Sequence, residues 1–337
     1  MGAEPVVQEY ASGSINGASY SGTTYDSNSL SGPAGIAFDS QGDLFVANSS
    51  NGTITEYTHG GAESQFYSGL DQPGAIAFDP YGNLYVANTG ASDIVEITPG
   101  GSGTVFASAA TSPENSLTNP SGLAFDSSGN LYVTTAGGGI LVSGTLQPNT
   151  DPGYAIDEIT PTGGVSIFAE ADSTTAGPQG VSFSGLSNPQ GLAFDSSGNL
   201  YVADSNNNAI EEFNSSGTME STFANVGANT SPHGLAFDSS GDLYVTNFSH
   251  YGYPENDSPT LGFSADEEYS SNGTLLQTFN DNTVSPSGLE DGGYIAIETN
   301  GGVPLLDPVP EPSSTGAFGM GTMSLIGFSM IKRRQRM

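Results

Sequence analysis

A pattern of 16 residues recurs along the chain and joins two short apolar runs through a polar turn. The first copy occupies residues 33–48 and reads PAGIAFDSQGDLFVAN. In the turn, the Asp carboxylate can accept backbone N–H groups and the Gly can adopt a positive φ, as β-hairpins require. Four further copies begin at Pro73, Pro120, Pro189 and Pro232, and a degenerate copy occupies residues 286–300. The pattern therefore predicts six hairpins.

A second, shorter pattern follows each hairpin and predicts two more strands per repeat. Residues 94–101 (IVEITPGG) and the strand ending at Phe106 illustrate it, and relatives begin near Ile54, Ile156, Ile210 and Glu267. One relative, at residues 6–10, precedes the first hairpin. We therefore expect an all-β fold of six four-stranded blades, in which the two chain ends complete one blade and leave no open sheet edge.

The repeated pattern Pro-x-Gly-Leu-Ala-Phe-Asp-Ser-x-Gly-Asn-Leu-Tyr-Val-Ala-Asp/Asn resembles the NHL repeat and its relatives in the gluconolactonase and senescence-marker superfamily. The resemblance covers residues 5–303 and implies a six-bladed β-propeller, so we assign residues 1–303 to one domain. Propellers of this kind include lactonases, lyases and binding modules. The resemblance is therefore specific for the fold and not for the function.

Three stretches interrupt the regular spacing of the repeats, at residues 135–154, 170–188 and 248–265. Each falls between strands two and three of a blade or between consecutive blades, and these connections emerge at the same end of a propeller. Long loops on a rigid scaffold often carry binding sites. The alternative is that these are tolerated insertions without a role.

The charge of the chain excludes some classes of partner. There are 36 acidic residues against four basic ones, the net charge is −32, and every Lys and Arg lies between residues 332 and 336. We expect no nucleic acid partner, because residues 1–331 contain no Lys or Arg to neutralise phosphates. The chain has no Cys, which excludes disulfides, thiolate metal sites and Cys nucleophiles.

Two sets of residues are predicted to surround the mouth of the central channel. One set precedes strand one, and the other ends strand two. The first set is Ala34, Gly74, Ser121, Gln190, His233 and Ser287, and the second is Asn48, Asn88, Thr135, Asp204, Asn247 and Asn300. The binding candidates among them are Asn48, Asn88, Thr135, Gln190, Asp204, His233 and Asn247.

These residues suggest one specific chemistry and one simpler alternative. Ca²⁺ or Mg²⁺ could be held by oxygen ligands of Asp204, Asn48, Asn88 and Asn247, with His233 as a general base. The sequence Pro232-His233-Gly234 is similar to the Pro-His-Gly of streptogramin lyases, whose family uses histidine with a metal. However, neither His59 nor His250 occupies an equivalent repeat position, and strand one is apolar where a lactonase-type acidic ligand would be expected. We favour the alternative, in which polar residues cap a water-filled channel and no cofactor is bound.

The third strand of each repeat carries a glutamate. These residues are Glu9, Glu56, Glu96, Glu158, Glu212 and Glu268. With no Lys or Arg nearby in sequence, they must be solvated, hydrogen-bonded or bridged by metal ions. We expect solvation.

The C-terminal region changes character abruptly. The motif Val309-Pro310-Glu311-Pro312 precedes an uncharged apolar stretch, residues 315–331, and a basic tail with Lys332, Arg333 and Arg334. This order resembles the PEP-CTERM sorting signal, which implies processing by an exosortase-type enzyme. We assign residues 304–314 to a linker and 315–337 to a short transmembrane segment with its tail. The alternative is a plain membrane anchor, and the N-terminus shows no apolar signal-peptide segment.

The sequence thus predicts an exported propeller, located in the periplasm, at the cell surface or in the extracellular matrix and transiently anchored by its tail. Its predicted role is to bind or scaffold a polysaccharide or protein partner. The alternative is a metal-assisted lyase or lactonase with its site at the channel mouth. A third possibility is a spacer without a specific ligand.

Overall fold

The fold is taken from a computed structural model of the chain. It describes residues 6–11, 24–26, 30–58, 62–112, 117–136, 141–142, 145–146, 154–170, 185–227, 230–238, 240–249, 266–279, 295–298 and 324–329. Two short 3-10 helices, Thr89–Ala91 and Ser205–Asn207, follow the second strands of two blades. All other regular elements in these ranges are β-strands.

The structure has five blades, each made of four antiparallel strands that are consecutive in the repeat. Two strands precede blade 1, a two-stranded hairpin interrupts blade 3, and two strands follow blade 5. The chain begins with β1 (Val6–Ala11) and β2 (Thr24–Asp26), and it ends with β25 (Ile295–Glu298) and β26 (Ser324–Ser329). Blade 1 contains β3 (Pro33–Phe38), β4 (Leu44–Asn48), β5 (Thr53–Tyr57) and β6 (Glu63–Ser68), and blade 2 contains β7 (Pro73–Phe78), β8 (Leu84–Asn88), β9 (Asp93–Ile97) and β10 (Gly103–Ser108). Blade 3 contains β11 (Leu123–Phe125), β12 (Leu131–Thr135), the hairpin of β13 (Leu141–Val142) and β14 (Thr145–Leu146), β15 (Ala155–Ile159) and β16 (Val165–Glu170); blade 4 contains β17 (Pro189–Phe194), β18 (Leu200–Asp204), β19 (Ala209–Phe213) and β20 (Met219–Asn225); and blade 5 contains β21 (Thr230–Phe237), β22 (Leu243–Ser249), β23 (Asp266–Tyr269) and β24 (Leu275–Phe279).

The turn of the first hairpin follows the chemistry predicted from its sequence. In blade 4, the Oδ1 atom of Asp195 accepts the backbone N–H groups of Ser197 and Asn199, both at 2.8 Å. Gly198 adopts φ 84°. The same two hydrogen bonds recur at Asp39, Asp79, Asp126 and Asp238. Each repeat therefore closes its hairpin with an aspartate cap and a left-handed glycine.

The hydrophobic core lies between neighbouring blades, and an aromatic ring on strand two marks each layer. Tyr85 packs edge-on against Phe106 of its own blade and Phe125 of blade 3, with both centroid distances at 5.0 Å. Phe45, Tyr132 and Tyr201 make the corresponding pairs. Such pairs contribute about 0.5–1.5 kcal/mol each beyond the apolar area they bury, so they help to fix one blade on the next.

The prediction of six blades is wrong, because the described residues form five blades that follow the repeat. In the described part of the degenerate copy at residues 286–300, only Ile295–Glu298 forms a strand, β25. A separate four-stranded sheet with the order β2-β1-β26-β25 brings the two chain ends together. Strand β25 contacts both β3 and β21, so this sheet closes the ring between blades 5 and 1. The degenerate copy reads GLEDGGYIAI, which lacks the apolar first run and the Asp-Ser-Ser-Gly turn.

The predicted transmembrane segment is not confirmed. Of residues 315–331, the structure describes only Ser324–Ser329, and these form β26, which pairs with β1 and β25. No helix in the described ranges is long and apolar enough to cross a bilayer. The linker 304–314, the residues Val309, Pro310, Glu311 and Pro312, and the basic residues Lys332, Arg333 and Arg334 lie outside the described residues.

Candidate functional site

The end of the propeller at which strand one begins and strand two ends is called the loop end below. Neighbouring inner strands contact one another in the order β3, β7, β11, β17, β21 and β25. They approach very closely at the loop end, where a Cβ atom on Gly35, Gly122 or Gly191 would collide with the carbonyl oxygen of Gly74, Gln190 or His233, respectively. Gly35, Gly122 and Gly191 therefore lie where the close approach of backbones leaves no room for a Cβ atom, whereas blade 2 has Ala75 at the equivalent position.

Hydroxyl groups connect the blades at the same end. Thr134 Oγ1 accepts the N–H of Gly122 and donates to the carbonyl oxygen of Gln190, both at 2.7 Å. Thr89 Oγ1 donates to the carbonyl of Pro120 at 2.7 Å. Ser205 Oγ donates to the carbonyl of Pro232 at 2.5 Å. These bonds use carbonyl groups of the inner strands to hold one blade against the next.

The side chains that end strand two are buried and bind the loop that enters their blade. Asn48, Asn88 and Asp204 each accept a backbone N–H through Oδ1. The three donors are the residues two positions before the Pro of the blade: Ser31 at 3.0 Å, Asp71 at 2.6 Å and Ser187 at 2.8 Å. These polar side chains therefore hold the inter-blade loops in place.

The other polar atoms of these side chains bond inside the same blade. Asn48 Nδ2 donates to Thr55 Oγ1 at 3.0 Å, and Asn247 Nδ2 donates to Glu267 Oε2 at 3.3 Å. Asn88 Nδ2 donates to Asp93 Oδ1 at 2.8 Å, Asp204 Oδ2 accepts from Asn207 Nδ2 at 2.7 Å, and Thr135 Oγ1 donates to the carbonyl of Ala155 at 3.4 Å. The structure thus distributes the candidate cation ligands among separate blades. Among the residues it describes, no three His, Cys, Asp or Glu side chains are grouped to hold a metal ion.

The residues predicted to precede strand one are partly exposed at the loop end, and all of them except Ser121 lie within the first residues of that strand: Ala34, Gly74, Ser121, Gln190 and His233. Gln190 Nε2 donates to Asn188 Oδ1 at 3.0 Å, and the Ser121 and Thr134 hydroxyls lie 2.9 Å apart. Desolvation lowers the pKa of His233 to about 4, so its imidazole is neutral at pH 7. Ser287, Asn300, His59 and His250 lie outside the described residues.

The glutamates of strand three have partners that the sequence interpretation missed. Tyr201 and Tyr244 on strand two donate to Glu212 Oε1 at 3.2 Å and to Glu268 Oε1 at 3.1 Å. The turn aspartate lies on the other side of the ring, with Tyr201 Oη 3.5 Å from Asp195 Oδ2. Tyr85 and Tyr132 hydrogen-bond Glu96 and Glu158 in the same way. Desolvation is the main cause that raises the pKa of Glu158 and Glu268. These glutamates are therefore hydrogen-bonded to tyrosine hydroxyls, and not simply solvated as we expected.

The sequence contains a signal for these pairs. Each Tyr lies directly opposite its Glu in the antiparallel register, for example Tyr201 opposite Glu212 and Tyr85 opposite Glu96. Blade 1 has Phe45 opposite Glu56, and there Ser64 Oγ donates to Glu56 at 3.1 Å. Cross-strand pairing of strands two and three would have been enough to predict the tyrosine partner.

Comparisons with known proteins agree with the propeller fold. The family model described as the NHL repeat matches residues 30–57 and 186–213, which span the first three strands of blades 1 and 4. A search of curated proteins finds no match to the chain. The chain thus carries NHL repeats in an all-β propeller.

Solved structures with the same fold differ widely in what they do. A chain of a nidogen/laminin complex has a TM-score of 0.58 and 17% identity, with 82% of this chain and 93% of that chain covered. A gluconolactonase from Xanthomonas campestris has a TM-score of 0.56 and 16% identity, with 89% of this chain and 86% of that chain covered. An inactive variant of virginiamycin B lyase from Staphylococcus aureus, solved with quinupristin, has a TM-score of 0.53 and 16% identity, with 89% of this chain and 96% of that chain covered. At these identities the likeness shows the fold alone.

Proposed function

We propose that this propeller is an exported binding module whose ligand docks at the loop end. The observation that carries the proposal is the position of the three insertions. They connect β12 to β15, β16 to β17, and β22 to β23, and all of these connections leave the blades at the loop end. Long loops concentrated at one end of a rigid scaffold favour a binding surface there.

The chemistry of this end favours a neutral ligand. The partly exposed residues there include Gln190, Ser121 and His233, which carry an amide, a hydroxyl and a desolvated imidazole. These groups can exchange hydrogen bonds with sugar hydroxyls or peptide groups. Residues 1–331 contain no Lys or Arg, so an anionic polysaccharide would be repelled. A neutral polysaccharide or an uncharged protein surface is therefore the proposed partner.

Loop grafting tests this proposal. In blade 1, four residues, 49–52, join β4 to β5. The same four residues can replace 136–154 in blade 3 and 248–265 in blade 5, because these segments follow Thr135 and Asn247, the residues equivalent to Asn48. The second graft also removes the last two residues of β22. We expect at least about a tenfold loss of binding to an immobilised neutral glucan, or about 1.4 kcal/mol, while the melting temperature is retained. Gln190→Ala should also weaken binding, and Gln65→Ala on the outer strand of blade 1 is its control. Unchanged binding by both grafts would refute the proposal.

The second candidate function is a metal-assisted lyase or lactonase. Its support is His233, which is partly exposed at the loop end and neutral at pH 7, together with a fold shared with a gluconolactonase and a virginiamycin B lyase. Asp204, Asn48, Asn88 and Asn247 would need to leave their present bonds to coordinate Ca²⁺ or Mg²⁺. Turnover of gluconolactone or quinupristin with either ion, abolished by His233→Ala, would favour this function over binding alone.

Export and processing by an exosortase-type enzyme complete the proposal. The support is the order of the Val309-Pro310-Glu311-Pro312 motif, the apolar stretch and the basic tail. In a host that encodes such an enzyme, we expect exported protein to lack the residues that follow Pro312. Intact-mass spectrometry of the secreted fraction measures this directly, and retention of Arg336 would indicate a plain anchor instead.

A further inference from the structure

Blade 4 contains two buried carboxyl groups on one face of its sheet. Asp204 ends β18 and has no exposed surface, and Glu211 on β19 is 6% exposed. Glu211 lies opposite Val202, and Asp204 lies opposite Ala209. Because side chains two residues apart share a face, Asp204 and Glu211 are diagonal neighbours on the face that carries Val202.

The equivalent pairs in blades 1 and 5 contain an amide that donates a hydrogen bond. In blade 1, Asn48 Nδ2 donates to Thr55 at 3.0 Å, and Thr55 lies opposite Val46. In blade 5, Asn247 Nδ2 donates to Glu267 at 3.3 Å. Blade 4 has a carboxyl group at the position of the amide. A carboxylate has no N–H to donate, so the corresponding bond requires a proton on one of the two acids.

The existing contacts of the pair leave one oxygen atom for that proton. Asp204 accepts from Ser187 through Oδ1 and from Asn207 through Oδ2. Glu211 Oε1 accepts from Thr222 at 3.3 Å. Glu211 Oε2 is buried and has no hydrogen-bond partner in the part of the chain that the structure describes. An unpaired buried carboxylate oxygen is costly, and a second buried charge beside it increases that cost.

No basic side chain is available to offset these charges, since residues 1–331 lack Lys and Arg. The core cluster on this face contains Leu186 from the connection between blades 3 and 4 and five residues of blade 3, of which only Tyr132 carries a polar group: Ala124, Tyr132, Ile156, Phe168 and Ala169. The titratable groups on the surrounding elements are Tyr201 and Glu212 on the opposite face of blade 4, Glu220 on β20, Tyr132, Asp157 and Glu158 in blade 3, His233 in blade 5, and Glu170, whose side chain lies outside the described residues. The charge of Asp204 acts on Glu211.

We propose that Asp204 and Glu211 share one proton, carried by Glu211 Oε2, and that this buried acid pair is a pH-sensitive link between β18 and β19 at the loop end. Loss of the proton to solvent leaves two carboxylates facing each other without a counter-charge. Because Asp204 also holds Ser187, the last part of the connection between blades 3 and 4 is anchored through the same group. The link does not depend on which ligand the propeller binds.

The direction of the pH dependence follows from the raised pKa values. Desolvation raises the pKa of Asp204 to about 6, and desolvation followed by the charge of Asp204 raises the pKa of Glu211. A carboxyl group with a raised pKa in the folded state binds its proton more tightly there than in the unfolded chain. The stabilising contribution is therefore complete below the ordinary Asp pKa of about 3.9 and is lost as the pH rises through about 6.

Melting temperatures measured between about pH 5 and pH 8, at constant ionic strength and with a chelator, test the link. In Asp204→Asn, the amide can donate to Glu211 as Asn247 does to Glu267, and Oδ1 still accepts from Ser187, while the hydrogen bond from Asn207 to Oδ2 is lost. We expect the melting temperature of this variant at pH 8 to exceed that of the wild type by roughly 3 °C or more. Its melting temperature should also decline less than that of the wild type as the pH rises. Glu211→Gln should also reduce the decline. Glu220→Gln, an exposed substitution in the same blade, should leave it unchanged.

Two results would overturn the proposal. One is a wild-type pH dependence that persists in both Asp204→Asn and Glu211→Gln. The other is a rise in melting temperature with CaCl₂ or MgCl₂, beyond NaCl of equal ionic strength, that Asp204→Asn removes, because a cation would then hold the pair. Infrared difference spectra provide a readout that does not require a stability change. A protonated-carboxyl band present in the wild type at about pH 5 should be reduced in Glu211→Gln.

Discussion

Replacing Gly122 with alanine is expected to destabilise the propeller by roughly 3 kcal/mol or more, because the new methyl group has no room between two inner strands. A Cβ atom at this position would collide with the carbonyl oxygen of Gln190 and would lie 2.8 Å from Thr134 Oγ1. Relief requires moving the backbone of blade 4 away from blade 3 and breaking the bond from Thr134 to Gln190. Urea denaturation measures the loss as a lower midpoint at an unchanged slope.

Gly74→Ala is the matched control for this prediction. Its Cβ atom would lie 3.1 Å from Thr89 Oγ1 and 3.6 Å from the carbonyl oxygen of Ser121. Blade 1 already has Ala34 at the equivalent position. We expect a change of less than about 1 kcal/mol, as is usual when no core contact or cap is lost. If both variants lost the same stability, the close approach at Gly122 would not be the cause.

The hairpins could be predicted from sequence because each repeat contains its own turn chemistry. Asp195 and Gly198 close a turn within five residues, and no contact with another blade is needed to form it. The meeting of the two chain ends was also predicted, but the strand order of the sheet that they form was not. That order depends on β26, which lies far from β1 and β25 in the chain and has no counterpart in the repeat.

The positions of the candidate site residues were predicted less well, and strand periodicity explains why. Asn48 follows Val46 and Leu44 at intervals of two, so its side chain shares their buried face. The prediction that such residues surround the channel was based on their position at the end of the strand. It did not take into account which face of the strand their side chains occupy. The same rule applies to Asp204, which follows Val202 and Leu200. By contrast, Gln190 and His233, which lie in the first half of strand one, are partly exposed.

Sodium chloride is expected to raise the melting temperature strongly between about 10 mM and about 300 mM, because self-repulsion is unscreened over about 30 Å at the lower concentration and over less than about 10 Å at the higher. The net charge is −32, and residues 1–331 have no Lys or Arg with which a carboxylate could pair. The repulsion is concentrated where two acids approach one tyrosine, as Asp195 and Glu212 do at Tyr201. Added salt therefore stabilises the compact state more than the expanded chain.

The same repulsion should depend on pH in a way that separates it from a general effect of salt. Desolvation and, after it, neighbouring acids raise the pKa values of Glu158 and Glu268, so their stabilising contribution is present at low pH and is lost as the pH rises through those values. The increase in melting temperature on adding salt should therefore be smaller at about pH 5 than at about pH 8. Glu268→Gln removes one charge and can still accept the hydroxyl of Tyr244, so it should reduce the salt effect at pH 8 while leaving that hydrogen bond in place. A melting temperature that falls when sodium chloride is added would contradict the repulsion itself.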